Sequence, residues 1–214
     1  MIDVIRHDPK WKITKFKEEV YERLATQRMQ VAARLTRAKE LRDEAIILPR
    51  FSSARELRLK DSFGLVDEAF DLERRIIVPH AYELRLIEGN LLLNEGITAL
   101  QNLLIGAAET AFNNANSYLG VGDSSTAASA GQTGLQASTN KLYKAMETSY
   151  PTISSQTTTW RSVFGSSEAN FAWNEFTVAS GNSDAADNLN RKVSAEGTKA
   201  SGQVWTLDLA VTWS

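Results

Sequence analysis

The chain has 214 residues, 43% of them hydrophobic, enough apolar material for one good core or two small ones. A formal charge of −2 and a pI near 5.8 leave no basic field of the kind that holds nucleic acid by counterion release, so direct nucleic-acid binding is not expected. There are no cysteines, which excludes disulfide staples, thiolate nucleophiles and Cys-based zinc sites. No run approaches the roughly 20 apolar residues that span a bilayer, and the N-terminus lacks a signal core, so neither a membrane partner nor secretion is expected.

Charge divides the chain: residues 1–110 carry 18 of the 24 Lys/Arg and 18 of the 26 Asp/Glu, and the remainder is rich in Ser, Thr and Gly. The segment "WKITKFK" alternates Trp11 and Ile13 with Lys12 and Thr14, which predicts a strand ending near Lys17. Ile13, Phe16, Val20, Leu24, Val31, Leu35, Ala38, Leu41 and Ala45 then recur at steps of three and four, the stripe of a long amphipathic helix that Pro49 ends. Ser52 and Ser53 are candidate N-caps of a second helix with Leu59, Phe63, Val66 and Phe70 on one face. The two helices make a hairpin over 18–78. Their stripes either bury each other or dock on a partner, and periodicity alone leaves both open; Val20, Leu24, Val31, Leu35, Leu59, Phe63, Val66 and Phe70 are the candidate partner-binding residues.

After Pro79, "AYELRLIEGN" alternates again, with Tyr82, Leu84 and Leu86 against Glu83 and Arg85, so the hairpin reads as an insertion between two neighbouring strands. A short helix is expected near 91–105, with Leu93, Ile97, Leu100 and Leu104 on one side and Gly106 as its stop. Six further strands follow between turn signals: "SYLGVG", "KLYKAME", "TTTWRSVF", "FAWNEFTVA", "NRKVSA" and "QVWTLDLAVTW". In the last, Trp205, Leu207, Leu209, Val211 and Trp213 point one way and Thr206, Asp208, Ala210 and Thr212 the other. The expected fold is α+β: an antiparallel β-sandwich, jelly-roll or Ig-like, over 79–214, preceded by an arm and first strand at 1–17 and the inserted hairpin.

The chemistry offered by motifs is thin. "YLGVGDSS" has Gly120 and Gly122 but Ser125 where a dinucleotide loop needs glycine, and it lacks the Gly-Lys-Ser/Thr of a Walker loop and the Gly-x-Ser-x-Gly of a nucleophile elbow. It reads as a strand end leading into a rim loop. His7 and His80 are the sole imidazoles. Asn113, Asn114, Asn116 and Asp123 offer oxygens to calcium without an EF-hand pattern, so turn formation is the expected role. Glu168 and Glu175 flank an apolar strand and offer an acid/base pair of the glycosidase kind, against the plainer reading of surface carboxylates. No catalytic residue, cofactor or metal is expected.

Four stretches, "EGNLLLNEGITALQNLLIG", "TAFNNANSYLGVGDSSTAASAGQTGLQA", "WRSVFGSSEANFAWNEFTVAS" and "NRKVSAEGTKASGQVWTLDLAVTW", resemble a family of small β-sandwich virion structural proteins of tailed bacteriophages, over roughly residues 88–213. The resemblance implies a non-enzymatic virion protein assembled in the host cytoplasm, a capsid decoration or auxiliary subunit, homo-oligomeric and partnered by other virion proteins. A tail or baseplate component is the alternative within that class. A carbohydrate-binding receptor module is the alternative outside it, since Trp160, Trp173, Trp205 and Trp213 could stack on sugars.

Overall fold

The computed structural model describes residues 7–48, 52–76 and 83–213. Along the chain run β1 (His7–Lys17), α1 (Glu18–Ile46), α2 (Ser53–Ile76), β2 (Glu83–Glu88), β3 (Leu91–Leu92), α3 (Asn94–Ile105), β4 (Tyr118–Gly122), β5 (Lys141–Ala145), β6 (Thr152–Ser154), β7 (Thr157–Phe164), β8 (Glu175–Ala179), β9 (Asn190–Val193) and β10 (Gln203–Trp213). The strands form two antiparallel five-stranded sheets, ordered β2-β1-β10-β7-β6 and β3-β9-β8-β4-β5. This is the α+β sandwich with a helical hairpin that the alternation predicts. By contacts the chain divides into two compact units, Met1–Glu18 with Ala81–Ser214, and Glu19–His80.

The sandwich core follows from period-two patterning. β10 is the central strand of its sheet, flanked in register by β1 and β7, so Trp205, Leu207, Leu209 and Val211 share a face with Trp11, Ile13, Trp160 and Phe164. All of these are buried, and they pack with Leu119, Val121, Phe176, Val178 and Leu189 of the second sheet. Trp173 meets Phe164 and Trp205 edge-on, each with ring centroids 4.8 Å apart. Asp208 points to the opposite face as expected and forms a bidentate pair with Arg161 of β7. In β2, Leu84 and Leu86 lie exposed and Ile87 is buried, because pairing with Trp11 carries Ile87 onto the core face.

The hairpin has its own seam. Leu24, Ala38, Leu41 and Ala45 of α1 are buried, as are Ser62 and Ala69 of α2. Leu24, Val31, Ala38 and Ala45 step by sevens, and so do Ser62 and Ala69, the spacing of a coiled-coil seam. Small residues bring the helices close: Ser62 Oγ donates to the Ala38 carbonyl at 2.8 Å. The outer flanks are tied by Arg34 to Glu68 and by Arg58 to Glu44, both at 3.2 Å. Ser52 Oγ accepts the Arg55 N–H, making Ser52 the N-cap.

α3 ends at Gly106 in the left-handed conformation, as the glycine signal predicts. Its buried face, however, runs through Leu93, Gly96 and Ala99, while Ile97 is exposed and Leu104 is 86% exposed. The reason is Gly96, which lies directly against the Leu189 backbone. A Cβ there would overlap that backbone, and Leu189 cannot swing away: its N–H is bonded to Val178 and its carbonyl to the Leu93 N–H. Gly96→Ala is therefore expected to destabilise the sandwich by about 1–3 kcal/mol despite the better helix propensity of alanine. Urea unfolding checks this, and a variant as stable as the parent would place the helix farther from β9.

Candidate functional site

Two of the features singled out in the sequence, Glu175 and the Gly120/Gly122 pair, meet on the outer face of the second sheet. β8 is its central strand and all five of its residues are buried, including Glu175 and Thr177, which point away from the core. A polar residue on an outer face is buried only if something covers it. The cover is the 123–140 segment, which lies back across the sheet instead of standing at the rim.

Glu175 holds that cover. Its carboxylate accepts the backbone N–H groups of Gln136 at 2.9 Å and Ala137 at 2.7 Å, and it pairs with Arg191 of β9 through Nε at 2.8 Å and Nη2 at 2.7 Å. Both side chains are 0% exposed. Arg191 Nη1 donates to Gln132 Oε1 at 3.0 Å, and Gln132 braces its own loop through the Ser129 N–H and the Ala127 carbonyl. Three hydrogen bonds, two on Oε2 and one on Oε1, together with the ion-pair contact of Arg191 Nη2, hold this carboxylate as a clamp.

The two glycines of β4 are the floor of this arrangement. A Cβ on Gly122 would overlap the Glu175 carboxylate, and one on Gly120 would come within 2.7 Å of Thr177 Cγ2 and 2.8 Å of Tyr143 Cε1. Gly-x-Gly therefore clears one face of a strand for side chains that reach across it from β5 and β8. A second clamp lies beside the first: Asp184 accepts the Tyr143 hydroxyl at 2.5 Å and the Leu135 N–H at 3.1 Å, and it pairs with Lys141.

Burial, and then the Asp184 carboxylate, push the Tyr143 phenol well above its ordinary value of 10.0. A raised folded-state value means that this contribution is complete below pH 10 and is lost as pH rises beyond it, because the unfolded chain ionises first. Tyr143→Phe is accordingly expected to remove part of the alkaline fall in stability above about pH 10. Urea midpoints measured across that range check it, and an unchanged slope would reject the assignment.

Among the described residues, the remaining candidates do not assemble into a reacting site. Glu168 is paired with Lys144 and accepts the Gly165 N–H, while Glu175 is consumed by its clamp, so each member of the supposed acid/base pair has separate partners. Asn113 Oδ1 accepts the N–H groups of Ala115 and Asn116, Asn114 Nδ2 donates to the Glu147 and Tyr150 carbonyls, and Asp123 is bonded by Asn140. These are turn contacts. Among the described residues no group of three His, Cys, Asp or Glu side chains is placed to hold a metal ion. Trp160, Trp173 and Trp205 are buried in the core and Trp213 packs against it, which leaves three of the four indoles no face for a sugar.

Of the candidate partner-binding residues, Leu24 is buried, Val20, Val31, Leu59 and Val66 are half-buried, and Leu35 and Phe63 are exposed. The Phe70 side chain and His80 lie outside the described residues, as does the His7 side chain. No helix among the described residues is long and apolar enough to cross a membrane. No known protein family, curated protein or solved structure matches the chain.

Proposed function

We propose that the chain is a non-enzymatic structural protein of a tailed-bacteriophage virion, a capsid decoration or auxiliary subunit that attaches through its helical hairpin. The hairpin carries this reading. Its seam of small residues makes it a compact unit in its own right, yet Met29, Leu35, Ile46, Ile47, Leu57 and Phe63 remain exposed on it. Scattered exposed apolar residues need no explanation, but six large ones on a two-helix unit favour docking on another subunit. The resemblance of residues 88–213 to small virion proteins supplies the kind of particle, whose repeated symmetric contacts would make modest single interfaces sufficient. The clamped loop supports a supporting role for the sandwich, since its conspicuous polar groups are spent on holding one conformation.

Antibody labelling of purified particles tests the location. Gold on the head is the expected result, gold on the tail would move the protein to a tail or baseplate position, and unlabelled particles would overturn the reading. A Leu35→Asp/Phe63→Asp variant tests attachment. Because both side chains are exposed, its circular dichroism should match the parent while its co-sedimentation with particles lacking the protein is lost. Retained binding would reject the hairpin as the attachment device.

A further inference from the structure

One buried cation is not used by either clamp. Lys199, between β9 and β10, is fully buried, and its Nζ reaches two oxygens: the Gly165 carbonyl at 2.6 Å and Asn170 Oδ1 at 2.8 Å. The carboxylate nearest in sequence to that asparagine, Glu168, is held instead by Lys144 and the Gly165 N–H. The backbone fixes both partners. Lys199 N–H donates to the Phe171 carbonyl at 3.1 Å, Ala172 bridges Thr198, and Trp173 exchanges hydrogen bonds with Gly197 and Glu196 at 2.9 Å each. Asn170 Nδ2 donates to the Ser166 carbonyl at 3.0 Å, which orients the amide plane. Ala169, immediately before it, has φ of +49°, a strained conformation for a residue with a side chain.

We propose that Lys199 and Asn170 form an intramolecular isopeptide bond that ties the β7–β8 loop to the β9–β10 turn. A C=O bond of about 1.2 Å puts Nζ within about 4 Å of Asn170 Cγ, so a small closing movement reaches the range of about 3–3.5 Å from which bonds form. The neutral amine attacks Cγ through its lone pair. The bond from Cγ to Nδ2 breaks, Nδ2 departs as ammonia with one proton taken from Nζ, and an amide links Nζ to Cγ. Nothing is oxidised or reduced, and no co-reactant is consumed. Burial pulls the Lys199 ammonium down to about 8 against the opposing fields of Glu168 and Glu18, so a neutral fraction is available under mild conditions. Nζ donates both to the Gly165 carbonyl and to Asn170 Oδ1, so the closing movement releases the bond to Oδ1 and turns the lone pair toward the amide carbon while the Gly165 carbonyl keeps one N–H.

Mass spectrometry of the denatured full-length chain decides the matter, independently of any role in a virion. The expected mass is lower than that of the sequence by one ammonia, and proteolysis should release a branched peptide joining the segments that contain Asn170 and Lys199. Lys199→Arg keeps a cation and Asn170→Ala removes the electrophile; both should show no loss of ammonia. A parent chain at full mass after prolonged incubation in mildly alkaline buffer would overturn the proposal and leave Lys199 as a hydrogen-bonding brace. So would ammonia loss mapped to another residue, or Asn170 recovered as aspartate. The branched peptide of the parent decides even if a variant fails to fold.

Discussion

Arg191→Met is expected to destabilise the sandwich by about 3–5 kcal/mol, because it strips the cation from a carboxylate that has no access to water. Methionine fills much of the space of the arginine stem, so the loss is not chiefly one of packing. What remains is Glu175, fully buried, still bonded to Gln136 and Ala137 but without its ion pair. The second consequence is local. Arg191 also holds Gln132, so the 127–137 part of the cover should loosen, and amide exchange at Gln136 and Ala137 should quicken beyond what global unfolding explains. Urea denaturation and hydrogen exchange measure the two effects. A loss under about 1 kcal/mol would mean that water reaches the pair and that Glu175 does not need Arg191.

Two kinds of pattern were legible in the sequence, and they differ in what they depend on. The β10 face was legible because each residue alternates between a core and a polar environment, and the structure places Trp205, Leu207, Leu209 and Val211 inside. Gly106 stopped α3 and Ser52 capped α2 because caps are local chemistry. The α3 face is legible only in part: Leu93 is buried and Leu100 packs on the core, but Ile97 and Leu104 are exposed because the helix approaches Leu189 through Gly96, and a glycine carries no hydrophobic signal. The segment "FAWNEFTVA" reads as a strand from Phe171, whereas β8 starts at Glu175, because Phe171 to Asn174 are bonded across to residues 194–199 as a loop.

The clamp was the least legible. Alternation assigns Glu175, Thr177 and Tyr143 to a wetted outer face, and only the path of the 123–140 segment reverses that. The one available signal was two glycines two residues apart, Gly120 and Gly122, which vacate a single face of a strand. Such a vacancy implies that something occupies the space.

Leu207→Ala is expected to cost about 2–5 kcal/mol, the range for truncating a fully buried leucine. The position argues for the upper part of it. Leu207 is 0% exposed and lies between Ile13 of β1 and Ser162 of β7, in the central strand of the sheet. Collapse into the vacated space is the usual relief for such a truncation. Here the backbone is held on both sides by antiparallel ladders, and Ser162 is small and anchored through its hydroxyl to the Lys144 carbonyl, so it cannot fill the gap. Leu86→Ala supplies the control: the same atoms removed from a residue 73% exposed on β2 should change stability by no more than about 0.5 kcal/mol. Urea midpoints for the two variants, measured with the parent's slope, separate burial from residue type. Equal losses, or a loss under half a kcal/mol at Leu207, would mean that the inner face of β10 is not the centre of the core.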